Sequence, residues 1–195
     1  MSARPAEGSE AAALRVGALR GVGRRLLWVP GAIAWALPVA WAAGIFLLSS
    51  QSRSGGEAAW WELGGFTANL AHPFAFGLLA LLLVAAAPRR GGARARWTAV
   101  GAAGALWIGV LAVLYGVTDE LHQSLVEGRD ASLLDLLADA VGAFSVLAVI
   151  VYLGREDADD RGLDLRLGIG VAASVVAAGL STLWGRTVGS GPWPF

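Results

Sequence analysis

Long apolar stretches are the feature that most constrains the fold of this chain. A helix needs about 20 mostly apolar residues to cross the hydrocarbon core of a bilayer. Backbone groups in lipid must bond internally, and the stretches lack the alternation of barrel strands, so helices are expected. We predict an all-α, polytopic integral membrane helical bundle with a four-span core and a fifth transmembrane helix. The expected spans are about Leu26–Leu48, Leu70–Ala87, Trp97–Val117, Leu133–Leu153 and Leu167–Trp184.

Composition supports a membrane protein. Hydrophobic residues make up 56% of the 195 residues and charged residues only 15%. In a soluble domain about 45–50% of the residues are apolar and about 25% are charged. The chain has no cysteine, which excludes a disulfide framework and a thiolate metal site. The net charge of zero argues against nucleic-acid binding. The first apolar run is longer than the roughly 7–15 residues of a signal-peptide core, so we expect a retained anchor.

The distribution of arginine predicts the topology. Twelve of the fifteen basic residues, all of them arginine, fall on one side of a five-span arrangement. Arginine-rich loops stay in the cytoplasm, which places the N-terminus inside, and abundant Ala, Gly and Arg suggest a bacterial plasma membrane. We expect a mostly disordered cytoplasmic tail with a short helix near residues 11–20. The expected segments are the tail at 1–25, a four-helix domain at 26–153, a cytoplasmic loop at 154–166 and an additional helix with a short tail at 167–195.

Polar side chains converge at the opposite, outward ends of the first four spans. The inward ends carry mainly arginine, and both histidines belong to the outward set. Such a concentration of ionisable groups in an apolar chain is a candidate site, because polar residues at membrane depth are costly. The candidate polar site comprises Ser49, Ser50, Gln51, His72, Tyr115, Asp119, Glu120, His122, Gln123, Arg129, Asp135 and Asp139.

Residue spacing predicts that the two acids of the third span, Asp119 and Glu120, point in different directions. Tyr115, Asp119, His122 and Gln123 recur at helical intervals and therefore share one face. Glu120 lies roughly 100° away around the helix. We expect Glu120 to contact a different partner.

The fourth span begins with a capping signal and carries a deep acid. Ser132 and Asp135 resemble a capping box, and an acid in the first turn also suits the helix dipole. Asp139 lies about 10 Å beyond Ser132 along a helix. A carboxylate at that depth costs on the order of 1–3 kcal/mol unless paired or wet. We expect Asp139 to face the bundle and meet a donor, either Arg129 or His122.

These residues resemble the VanZ-like membrane proteins over about residues 40–153. The matching segments are FLLSSQS, the histidine that heads the next span, and YGVTDELHQSLVEGRDASLLDLLADAVGA. The family is known for a member that confers low-level resistance to teicoplanin. The chain differs where family members often have Asp-Lys, here Ala68–Asn69, and often have Asn, here Asp139. The family motif falls on Ser49, Ser50, Gln51, His72, Tyr115, Asp119, Glu120, His122, Gln123, Gly128, Arg129, Asp135 and Gly142.

The resemblance implies an envelope role and leaves three interpretations open. The first is non-enzymatic: the site binds a cell-wall precursor or lipid headgroup and modulates envelope properties or glycopeptide susceptibility. Arg129 could then hold a phosphate or carboxylate. The alternative is a membrane enzyme that uses imidazoles and carboxylates for acid–base chemistry on a lipid-linked or peptidyl headgroup. The third interpretation is structural, with the acids and Arg129 tying helix ends together.

No cofactor is expected for the non-enzymatic role. The alternative is a divalent metal bound by His72, His122, Asp119 and Asp135. Two imidazole nitrogens and two carboxylate oxygens would suit zinc or manganese. The spacing matches no known zinc motif, since H-E-x-x-H is absent.

Overall fold

The computed structural model describes residues 14–26, 31–51, 58–87, 100–127, 129 and 131–188. Residues 1–13 of the expected tail, the arginines at 53 and 89–96 that were counted in the topology prediction, and Gly128 of the family motif lie outside these ranges. Within the described ranges the backbone forms helices and no strand, which confirms the all-α prediction. The helices are α1 (Leu14–Leu26), α2 (Gly31–Ser49), α3 (Ala58–Ala86), α4 (Ala102–Gln123), α5 (Leu133–Leu153) and α6 (Asp160–Val188).

Four of these helices are long and apolar enough to cross a membrane. They are Gly65–Ala86 within α3, all of α4, all of α5, and Asp160–Gly185 within α6. The fifth predicted span is therefore long enough to cross. The described part of the first predicted span is the apolar helix Ile33–Ser49. It is about 26 Å long against a hydrocarbon core of about 30 Å, and residues 27–30 of the predicted span lie outside the described ranges.

Large apolar side chains on the outside of the bundle fit a lipid environment. Val39, Leu47, Trp107 and Val176 are each at least 60% exposed. A soluble protein rarely exposes such side chains in continuous patches. The helix surfaces that carry them therefore face lipid tails, and the bundle is a multi-pass membrane protein.

Helix α5 is the centre of the bundle and packs against α3, α4 and α6, while α2 packs against α3 and α4. The core between them combines small residues with a few large ones. Ala80, Ala112 and Ala143 are fully buried beside Phe76 and Leu147. Small side chains let membrane helices approach closely, which strengthens van der Waals packing between them.

The closest approach lies between α3 and α5. A Cβ added at Gly142 would lie 2.0 Å from the carbonyl oxygen of Pro73 and 2.4 Å from its Cα. Only glycine fits this contact without moving the backbone. Pro73 directly follows His72, and Gly142 lies about one turn beyond Asp139. The contact therefore holds the histidine and the acid at the same level of the bundle.

Helix α1 overlaps the short helix expected near residues 11–20, extends it to Leu26, and docks on the end of α5 and the start of α6. The Arg15 guanidinium pairs with Asp164 at 2.7 Å, and Val16 is fully buried against the end of α5 and the start of α6. The Arg20 side chain donates to backbone carbonyls at the end of α5. These long-range contacts hold α1 against the bundle, and this docking is what composition alone does not predict.

Candidate functional site

The predicted polar residues gather at one end of the bundle. The end of α2, the end of α4 and the first turns of α5 meet there, and α3 contributes His72. Six of these residues form two groups. We call the first the tie group (Ser49, Asp119, Gln123) and the second the buried trio (His72, Glu120, Asp139).

The tie group joins α2 to α4 through a fully satisfied carboxylate. Asp119 is only 3% exposed. The Ser49 hydroxyl donates to Asp119 Oδ1 at 2.5 Å, and the Gln123 amide donates to Oδ2 at 2.8 Å. Because both carboxylate oxygens have donors, the cost of burying Asp119 is offset locally. This arrangement fits a structural connection between two helix ends.

His122 also contacts α2. Its Nε2 lies 2.9 Å from Ser50 Oγ, and its ring stacks on Phe46 with centroids 4.1 Å apart. The Tyr115 hydroxyl on the same face donates to the Ala42 carbonyl of α2 at 2.5 Å. The shared helical face predicted from spacing is thus confirmed, and it faces α2.

Arg129 contacts the end of α2. Its Nη2 donates to the Leu48 carbonyl at 3.0 Å, its Nε donates to the Gln51 carbonyl at 3.2 Å, and its Nη1 donates to Gln123 Oε1 at 3.3 Å. A cation at the end of a helix satisfies terminal carbonyls and complements the dipole. These bonds fit a capping role for Arg129 at the end of α2.

Asp139 faces the bundle as predicted, but its partner differs from the prediction. The side chain is fully buried, and its Oδ1 lies 2.9 Å from His72 Nδ1. The expected donors, Arg129 and His122, instead contact α2. The reason is the tight Gly142–Pro73 contact, which places His72 directly opposite Asp139.

Glu120 turns away from the tie group, as its angular offset predicts. It is 2% exposed, and its Oε2 accepts a 2.6 Å hydrogen bond from the Ser132 backbone N–H. Ser132 in turn caps α5, accepting from the N–H groups of Leu134 at 3.2 Å and Asp135 at 3.4 Å. The capping prediction for Ser132 is confirmed, and the cap also orients Glu120.

The buried trio brings three metal-type ligands together. One candidate ligand atom from each of His72, Glu120 and Asp139 lies within 4.8 Å of the others. Two carboxylate oxygens, Glu120 Oε1 and Asp139 Oδ2, are buried and have no hydrogen-bond partner among the residues that the structure describes. The four residues predicted as an alternative metal set do not converge among the described residues, because Asp119 and His122 bond to α2.

Helix α6 supplies site contacts that sequence reasoning missed. The Ser181 hydroxyl donates to Asp135 Oδ1, and the Asn69 amide donates to Thr182 Oγ1 at 3.0 Å. The sequence signal for these contacts is the pair of adjacent hydroxyl residues, Ser181 and Thr182, in an otherwise apolar stretch. Asp135 is therefore more than a first-turn acid, since it connects α5 to α6.

The chain is a lipid-facing helical bundle with a carboxylate–imidazole group buried near one end. These two features define a class of polytopic membrane protein. Within that class, the chain belongs to the VanZ/LLP1 family, whose model matches residues 26–154. No curated protein and no solved structure matches the chain significantly. The family match ends before α6, so the Ser181 and Thr182 contacts come from a helix outside it.

Proposed function

We propose that this protein acts in the bacterial cell envelope. Its polar end would lie at the outer membrane face, bind a small polar group of an envelope component, and so alter susceptibility to teicoplanin-type glycopeptides. The arginine distribution supports the orientation, and membership of the VanZ/LLP1 family supports the envelope role.

One observation carries the proposal: two buried carboxylate oxygens of the trio, Glu120 Oε1 and Asp139 Oδ2, have no hydrogen-bond partner. Leaving a buried polar group unsatisfied costs about 1–3 kcal/mol. A purely structural group would be expected to satisfy its oxygens, as Asp119 does. A structural role therefore accounts for the tie group, whereas the trio is built to receive something else.

A second candidate function is a membrane enzyme that acts on a lipid-linked or peptidyl headgroup. The observation that favours it is the pairing of the His72 imidazole, 14% exposed, with a fully buried carboxylate. Carboxylate-oriented imidazoles are common general bases. Incubation of the purified protein with lipid-linked cell-wall precursor tests this candidate, and product formation lost in His72→Ala would support it.

Susceptibility measurements test the envelope proposal. Cells that express the wild-type chain, Glu120→Gln or Asp139→Asn are compared for teicoplanin susceptibility and for yield of folded protein in detergent. Both substitutions preserve shape and remove only the charge. We expect the wild type to lower susceptibility and both variants to lose that effect at normal yield.

Thr118→Ala is the matched control, because Thr118 is exposed on α4 and bonds only to a carbonyl of its own helix. It should leave susceptibility and yield unchanged. Unchanged susceptibility in both trio variants at intact yield would refute the proposal. Loss of folded protein in both would favour the structural role.

A further inference from the structure

We propose that His72, Glu120 and Asp139 bind a divalent transition-metal ion. The candidate ligand atoms of the three residues lie within 4.8 Å of one another. They come from α3, α4 and α5, so the three central spans would share the ion. The inference rests on this geometry and is independent of the proposed role in glycopeptide susceptibility.

The charge balance of the polar end favours a cation. Four carboxyl groups are buried there, at most 9% exposed: Asp119, Glu120, Asp135 and Asp139. Hydroxyl and amide donors satisfy Asp119 and Asp135. Glu120 and Asp139 share His72 as their nearby imidazole and still leave one oxygen each without a partner. Buried carboxylates that lack donors are usually paired with a cation or coordinate a metal.

The surrounding hydrogen bonds hold the ligands in place. Asp139 Oδ1 lies 2.9 Å from His72 Nδ1, so this carboxylate and this ring nitrogen already face each other. An ion bound between them would replace the proton that they share, because metal ligands bind in their deprotonated form. The Ser132 N–H bonds Glu120 Oε2, which leaves Oε1 for coordination, and such a hydrogen bond is of the kind that positions a ligating carboxylate.

Gly116 of α4 lies against the trio. A Cβ added at Gly116 would lie 3.0 Å from Asp139 Oδ2, so a larger side chain at this position would crowd the oxygen. A tetrahedral ion with bonds of about 2.1 Å needs ligand atoms about 3.4 Å apart. The ligand atoms lie within 4.8 Å of one another, so closure by at most about 1.4 Å, within reach of side-chain rotation, would complete the coordination.

The donor set selects the class of metal. One imidazole nitrogen and two carboxylate oxygens suit Zn²⁺ or Mn²⁺. Three protein ligands leave at least one position open, as in metal sites that bind water or a substrate oxygen. The ion would thus present a Lewis acid at the polar end of the bundle.

Metal binding by the purified, full-length protein tests the inference. The protein carries a purification tag without histidine, is treated with chelator, and is titrated with Zn²⁺ or Mn²⁺ in detergent. Bound metal is measured by mass spectrometry and affinity by calorimetry. We expect one ion per chain and a thermal midpoint that rises with metal, because a ligand that binds only the native state stabilises it.

Two variants and one control make the result specific. Glu120→Gln and Asp139→Asn should each weaken affinity at least about tenfold and remove the metal-dependent rise in thermal midpoint. Asp119→Asn should retain wild-type affinity, because Asp119 belongs to the tie group. If either trio variant fails to fold, Gly116→Ala replaces it, because the added methyl group crowds Asp139 Oδ2. Gly116→Ala should likewise weaken metal affinity and remove the metal-dependent rise in thermal midpoint.

Three results would overturn the inference. The first is folded wild-type protein that binds neither metal, which would mean that the trio carboxyls are neutralised by protons. The second is binding by the trio variants that is as tight as in the wild type. The third is an Asp119→Asn variant that weakens binding as much as the trio variants do, which would place the ion elsewhere.

Discussion

Asp119 and Asp139 are both buried acids at the same end of the bundle, but their surroundings differ. Asp119 has a donor for each oxygen, whereas Asp139 has only His72 for one oxygen. At the scale of the residue, one acid connects two helices, and the other keeps one oxygen without a hydrogen-bond partner among the described residues.

The His72–Asp139 pair should be strongly coupled. His72→Ala would leave a fully buried carboxylate without its partner, and losing one member of a buried pair typically costs about 3–5 kcal/mol. Adding Asp139→Asn to His72→Ala should recover part of that loss. Unfolding in mixed micelles measures the free energies, and additive single and double changes would contradict direct pairing.

Ser49→Ala should destabilise the protein by about 1–3 kcal/mol, because it removes a donor from the buried Asp119 carboxylate. The same unfolding measurement applies, with exposed Thr118→Ala as control. Equal effects of the two substitutions would show that the Ser49–Asp119 hydrogen bond contributes nothing.

Sequence spacing predicts the direction of each acid but not its partner. The depth of Asp139 along its helix predicts that it faces the bundle, and the offset of Glu120 from Asp119 predicts a separate environment. The partners depend on which helices touch. His72 reaches Asp139 because Gly142 packs on Pro73, and Ser181 reaches Asp135 because α6 joins the bundle. These tertiary contacts leave no periodic signal in the sequence.

At the scale of the helix, the α3–α5 contact controls the trio. Gly142→Ala places a methyl group 2.0 Å from the Pro73 carbonyl oxygen, so the helices must separate. We expect a loss of about 1–3 kcal/mol from overpacking, together with weaker binding at the trio. Gly179→Ala is the control, since no atom lies within 4 Å of its added Cβ. Similar stability of the two variants would contradict the tight contact.

The start of α6 predicts a pH effect. Asp159 Oδ1 accepts hydrogen bonds from the Gly162 N–H at 2.7 Å and the Tyr152 hydroxyl at 2.8 Å. These bonds hold the pKa of Asp159 below its usual range. Because its folded-state pKa is lowered, the Asp159 carboxylate stabilises the protein at pH values above the unfolded-state pKa of about 3.9. This stabilisation is lost as the pH falls through the folded-state pKa.

The thermal midpoint of the wild type should therefore fall as the pH drops below about 4. The thermal midpoint of Asp159→Asn should fall less over the same pH range. Thermal unfolding of both proteins from neutral to acidic pH measures the difference. Identical pH profiles for the variant and the wild type would show that the Asp159 carboxylate does not stabilise the start of α6.

At the scale of the whole molecule, hydropathy predicts the helical membrane bundle and arginine placement predicts two chemically different ends. The described residues follow this division: the trio and tie group lie at one end, while Arg15, Arg20 and Arg155 lie at the other. Composition does not predict the docking of α1, because that depends on the Arg15–Asp164 pair and the burial of Val16.

The central claim is that the polar end works at the outer face of the membrane. The chain has no cysteine, so Ser124→Cys at the polar end and Glu156→Cys at the arginine end, both exposed positions, each introduce one thiol. Intact cells are treated with a membrane-impermeant maleimide. We predict that Ser124→Cys reacts in intact cells and that Glu156→Cys reacts only after permeabilisation; the reverse pattern would contradict the account.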